Sequence, residues 1–137
     1  MSFFKKLVPL KAEMNLALES MVLGQPVSGV ASLESRDKFR VEQVRLEIRV
    51  EEHWKETRMT RNARGGMSPS TVDVHSTRYS QDIPISESFD VDNGDKRDFP
   101  FMVTIPIYQP MRGQITYSLK AVANVKGRSD VTKEIKL

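Results

Sequence analysis

The chain has 137 residues, 21 basic and 18 acidic, with a formal net charge of +3 and no cysteine. That length suits one domain with a core of its own, and the missing cysteine excludes a disulfide framework, a thiolate nucleophile and a cysteine-ligated zinc site. No apolar run approaches the ~20 residues of a membrane-spanning helix, and so small a basic surplus lacks the dense footprint of a nucleic-acid binder.

The first segment, Met1 to Leu10, carries a basic pair followed by Leu7, Val8 and Leu10, with Pro9 interrupting it. Its apolar stretch falls short of a signal-peptide core of ~7–15 residues, so the expectation is a cytoplasmic chain. Phe3-Phe4-Lys5-Lys6-Leu7-Val8 reads as a short strand or helix packing Phe4 and Leu7 on the body. The alternative is peripheral contact with an anionic membrane, to which each Lys contributes ~1 kcal/mol. Lys5, Lys6 and Lys11 form a basic cluster without an acid.

Strands follow. Met14, Leu16 and Leu18 alternate with polar or small residues, and Val27 to Glu34 comes after the turn Gly24-Gln25-Pro26. From Val44 the chain reads Val44-Arg45-Leu46-Glu47-Ile48-Arg49-Val50-Glu51, four apolar side chains on one face and four charges on the other. Period-two alternation is the signature of a half-buried antiparallel strand. Thr71 to Ser80, Ile83 to Phe89 and Phe99 to Ile107 are expected to be strands, with a hairpin turn at Asn93-Gly94. Ile115, Tyr117, Leu119, Ala121, Ala123 and Val125 share a face, and Val131, Ile135 and Leu137 mark a last strand after Gly127. About eight strands at short spacing predict a sandwich or barrel.

Residues 57–70 are expected to form a mobile basic loop. Residues 57–72 carry Arg58, Arg61 and Arg64 and no acid, so this stretch alone equals the whole net charge. Guanidinium groups suit phosphate and carboxylate recognition through their planar donors, although a charged loop also serves solubility alone. Arg58, Arg61, Arg64, Lys5, Lys6 and Lys11 are the candidate partner- or anion-binding residues.

Catalytic and metal motifs are weak. His53 and His75 lie on two predicted strands and can face each other across a hairpin, without an acid and nucleophile pattern for a triad. Asp90-Val91-Asp92-Asn93-Gly94-Asp95 suggests a calcium loop. The EF-hand pattern needs Gly at its sixth position and Glu at its twelfth, which here are Asp95 and Phe101. Gly65-Gly66 lacks the strand-to-helix setting of a phosphate loop. No catalytic residue, metal ligand or cofactor is expected. Trp54 and Tyr108 read as packed core or rim anchors.

The run Phe99-Pro100-Phe101-Met102-Val103-Thr104-Ile105-Pro106, with Gly113-Gln114-Ile115-Thr116-Tyr117-Ser118-Leu119-Lys120-Ala121 after it, resembles the arrestin superfamily. Leu23-Gly24-Gln25-Pro26-Val27-Ser28-Gly29 is similar to that family's first hairpin, and Met1-Ser2-Phe3-Phe4-Lys5-Lys6 to the start of sporulation-control proteins with arrestin-like domains. The resemblance implies an all-β, immunoglobulin-like antiparallel β-sandwich of arrestin type. It also implies a non-enzymatic protein-binding adaptor or scaffold. Family members commonly carry two such sandwiches, and this chain has room for one, spanning residues 1–137. The expected partners are proteins, a second copy of the chain, or an anionic membrane surface, with no nucleic acid.

Overall fold

Two antiparallel sheets pack face to face in a computed structural model that describes residues 10–137. The strands are β1 (Ala12–Leu18), β2 (Pro26–Ser35), β3 (Phe39–Arg61), β4 (Met67–Ser86), β5 (Phe89–Val91), β6 (Lys96–Thr104), β7 (Gln114–Val125) and β8 (Val131–Lys136). One sheet has the order β1-β2-β6. The other runs β4-β3-β7-β8, with β5 paired to the start of β3. The expected β-sandwich is the observed fold.

Alternation places the core. Val44, Leu46, Ile48 and Val50 of β3 are fully buried, as are Leu119, Ala121 and Ala123 of β7, and they face Met14, Val27, Ala31 and Leu33 of the other sheet. The charges between them line the opposite face, paired along β3 (Arg45–Glu47 at 2.9 Å) and across to β4 (Arg49–Asp82 at 2.8 Å). Burying a large aliphatic side chain stabilises by ~1.5–3 kcal/mol, whereas exposed ion pairs contribute ~0–1 kcal/mol. The inner faces therefore hold the sandwich together, and the outer pairs mainly fix register.

Three features differ from the sequence expectation. Thr71 to Ser80 and most of Ile83 to Phe89 fuse into the single strand β4, which ends at Ser86 while Phe89 opens β5; β4 tolerates Pro84 because it is an edge. Asn93-Gly94 does not close a hairpin: β5 pairs with β3 and β6 with β2, so the Asp92–Asp95 turn crosses between the sheets. Most of the loop expected at 57–70 is strand, with only residues 62–66 turning. The cross-strand register continues through Arg61↔Met67, and Asn62 N–H donates to Gly66 O (2.8 Å) to close the turn. Gly65 supplies its left-handed residue at φ +78°.

The two glycines that matter most for packing are Gly29 and Gly113. Gly29 sits mid-strand opposite both Leu18 and Phe101. A Cβ there would lie 2.6 Å from Phe101 Cζ and 2.7 Å from the Ala17 carbonyl oxygen. Gly29→Ala is expected to lower the unfolding free energy by ~1–3 kcal/mol through overpacking, read as a lower denaturant midpoint at unchanged slope.

Candidate partner-binding surface

β3 is 23 residues long, and β7 accompanies only part of it. The last β3–β7 pair is His53↔Gln114. Beyond it, among the described residues, Trp54–Arg61 pairs with Met67–Val74 alone. Eight residues at ~3.3 Å each make a two-stranded ribbon reaching about 26 Å past the sheet.

The base of this ribbon is fixed by Glu52. Alternation puts Glu52 on the core face after Val50, and its side chain is 3% exposed. A buried carboxylate is costly unless its lone pairs are filled. Here Oε2 accepts the backbone N–H groups of Met111 (2.7 Å), Arg112 and Gly113 (2.9 Å), while Oε1 takes Arg78 Nη1 at 2.6 Å. Arg78 reaches inward because it is the extra residue of a bulge, between the pairs Val50↔Tyr79 and Glu51↔Thr77. The same guanidinium donates to Gln109 O (3.2 Å) and lies 5.1 Å from the Tyr108 ring centroid. Tyr117 and Tyr108 add a backbone clamp, the Tyr108 N–H donating to the Tyr117 hydroxyl at 3.1 Å. The 105–113 connection is thereby pinned against the ribbon base. These N–H donors, led by that of Arg112, hold the Glu52 carboxyl down at about 2 against an ordinary 4.5.

The sequence-predicted basic residues do not converge. Arg58 lies on the core-side face of the ribbon, bound at 3.0 Å to Glu56, which also accepts Trp54 Nε1–H at 2.8 Å. Those hydrogen bonds, from Trp54 first and Arg58 next, lower the Glu56 carboxyl from its usual value. Arg61 is on the opposite face, across from Met67, and Arg64 is in the turn. Lys11 is at the other pole, where its carbonyl accepts the Arg36 N–H (2.9 Å) just before β3 begins. Lys5 and Lys6 lie outside the described residues. Trp54 is a half-exposed rim residue under Arg112, whose guanidinium is 5.2 Å from the ring, and Tyr108 packs against the core.

His53 and His75 do face each other, in register with ring centroids 5.8 Å apart. His53 Nε2 meets both Thr116 Oγ1 (3.1 Å) and Glu51 (3.5 Å). A triad needs nucleophile and acid on different ring nitrogens, so this contact cannot relay a proton. The Asp90–Asp95 carboxylates serve local structure: Asp95 Oδ2 accepts the Asp92 N–H (2.8 Å), and Asp90 pairs with Arg40 at 3.0 Å.

Apolar exposure is polarised. Val22, Ile107, Met111, Met59 and Met67, 49–78% exposed, belong to the connections and strand ends at the ribbon pole. The opposite pole carries the charged turns Arg36–Lys38, Asp92–Asp95 and Lys126–Asp130. Sequence reasoning missed Glu52 and the ribbon. The available signal was phase: Glu52 is a charge on the apolar side of β3's alternation.

Glu52 also predicts a pH dependence. Its folded value is depressed, so the unfolded chain binds the extra proton and stability falls as pH drops from about 4.5 to about 2. Glu52→Gln is expected to melt at a lower temperature at neutral pH and to flatten the melting-temperature profile across that window. A calorimetric pH series on both proteins checks it.

Known proteins place this architecture. The model of the arrestin (or S-antigen) N-terminal domain matches residues 16–136. No curated protein matches the sequence. Among solved structures, the sporulation control protein Spo0M of Bacillus subtilis superposes with a TM-score of 0.66 at 16% identity, over 95% of this chain and 49% of that one. The chain thus spans about half the length of that relative. A DNA-bound alkylpurine DNA glycosylase of Pseudomonas fluorescens scores 0.43 at 9% identity, covering 97% of this chain and 32% of its own. A DUF4466 family protein of Parabacteroides merdae scores 0.41 at 11%, covering 94% and 44%. With nearly all of β1 to β8 inside the matched span, the chain belongs to the arrestin N-terminal domain family.

Proposed function

We propose that this protein is a non-enzymatic adaptor that takes up an extended segment of a partner protein along the free edge of β3, residues Trp54–Arg61. Membership of the arrestin family supports a binding role, and the cysteine-free sequence suits a reducing compartment such as the cytoplasm. The observation that carries the reading is that, among the described residues, no strand pairs with this edge of the ribbon.

Backbone direction follows from two neighbours. A Cβ on Gly113 would overlap the His53 carbonyl oxygen, so that carbonyl faces the β7 side. Strand backbone groups alternate with period two. Lys55, Thr57, Met59 and Arg61 therefore present N–H and C=O to the side that β7 has left. Pro69 agrees: it stands opposite Met59 and has no N–H to give β3. The edge is open to β-augmentation, in which main-chain hydrogen bonds give affinity and side-chain contacts give specificity. Trp54, with Arg112 over its ring, forms an aromatic and cationic anchor at one end.

The β4, β6 and β8 edges carry blunting residues. β4 carries Pro69 and Pro84, β6 carries Pro100, and β8 is short and carries Lys133 and Lys136. The exposed run of β3 has no proline.

Thr57→Pro removes an outward N–H without touching the ladder to β4. It is expected to keep a wild-type melting transition while weakening, at least about tenfold, peptides selected from a displayed random library on the wild-type protein, since lost edge hydrogen bonds add to a ring clash. Hydrogen exchange should show those peptides protecting the amides of Lys55, Thr57 and Met59. Protection confined to another strand, or unchanged affinity in Thr57→Pro, rules the reading out.

A further inference from the structure

We propose that the tip of the β3–β4 ribbon is a contact for an anionic lipid bilayer, with Met59 and Met67 entering the acyl boundary and Arg61 and Arg64 meeting lipid phosphates. The contact uses side chains of the ribbon face, whereas the β3 edge offers backbone groups, so it does not rest on the edge reading although Met59 and Arg61 belong to both.

The tip presents one apolar face. Met59 is opposite Pro69 and Arg61 is opposite Met67, so these four side chains share the ribbon face turned away from the core. Both methionines are 57% exposed. Water-facing methionines at the end of a projection gain nothing for the sandwich, because no core residue lies near enough to cover them. Methionine is also the apolar side chain best able to settle into an irregular, fluid environment.

Charge complements the apolar face. Residues 57–72 contain no acid. Arg58 is paired with Glu56, but among the described residues Arg61 and Arg64 have no carboxylate partner. Arginine reaches phosphate with a planar set of donors while its stem lies on apolar surface. The tip is also held in shape: Asn62 Oδ1 accepts the backbone N–H groups of Arg64 (3.0 Å) and Gly66 (3.1 Å), and Asn62 O accepts Gly65 N–H (3.1 Å). A preset turn spends little ordering entropy on contact.

The size of the tip selects the occupant. A stable protein interface needs roughly 800 Å² per partner with matched shape. A convex turn flanked by two methionines offers far less. A bilayer demands no shape match and adds a surface potential that attracts each Arg near it.

The test uses the full chain with phosphatidylcholine vesicles, with and without phosphatidylglycerol. The expected result is co-sedimentation with the anionic vesicles only, weakening as salt rises. Met59→Ser with Met67→Ser, and separately Arg61→Gln with Arg64→Gln, should each lower partitioning about tenfold or more, with melting unchanged because all four side chains are outside the core. A Trp54→Phe, Met59→Trp protein should lose fluorescence on vesicles of brominated lipid. Equal binding to neutral vesicles, full binding by both double variants, or unquenched fluorescence overturns the proposal. So does binding that disappears only with Lys5→Gln and Lys6→Gln, which would move the contact to the N-terminal segment. Arg64→Gln with Met67→Ser, neither of which lies on β3, should leave the affinity of edge-bound peptides unchanged, and Thr57→Pro should leave vesicle binding unchanged, so the two readings fail or succeed separately.

Discussion

A single carboxylate governs the ribbon pole of this domain. Glu52 is the last core-facing residue of β3 before β7 departs, and three consecutive backbone N–H groups converge on one of its oxygens. Arg78 closes the other oxygen from the facing strand. The group thereby joins β3, the bulge of β4 and the 105–113 connection at one point. Removing one partner of such a buried set leaves the others unsatisfied, which costs more than the set contributes in total. Gly113 is part of the same constraint, because only a residue without Cβ lets the chain reach Glu52 and still pass the His53 carbonyl.

That anchorage is what permits a two-stranded ribbon to leave the sheet. An isolated hairpin is marginal in water, since neither face is covered. Here the hairpin is the continuation of strands whose inner halves are buried, so its nucleation has already been met by the core. Local pairs do the rest: Lys55 stands opposite Asp73, Thr57 opposite Thr71, and Glu56 links Trp54 to Arg58. Opposed pairs of this kind contribute ~0.2–1 kcal/mol each, enough to keep register.

The sandwich was legible because alternation is a direct record of two faces. The Val44–Glu51 and Ile115–Val125 patterns map onto β3 and β7. The Phe99–Pro106 pattern falls on β6 and the residues just after it, and supported the family resemblance that the domain match establishes. The ribbon was not legible for an equally physical reason. Its residues have no buried side to impose alternation, so Arg58 to Ser70 showed only composition, and Gly, Ser, Arg and Pro69 suggested a loop. The pairing that makes it strand is inherited from neighbours through register. The bringing together of Glu52, Arg78 and the Met111–Gly113 amides depends on chain separations of 26 to 61 residues, which no local pattern encodes.

The same logic explains why the two halves of the hairpin carry different residues. β4 bears both prolines of the ribbon sheet's outer edge, while β3 bears none between Phe39 and Arg61. Proline at an edge denies a foreign strand its donors. Placing it on β4 interrupts the outer edge at Pro69 and Pro84, while the short stretch of β3 beyond β7, beside Trp54 and Arg112, has no proline. A strand docking there would turn the two-stranded ribbon into three, cover one of its edges and stiffen it. The tip with Met59 and Met67 would then be carried on a firmer stalk. Were both proposed contacts made, each would act on the same segment of β3 that the core does not cover, so one would bear on the other.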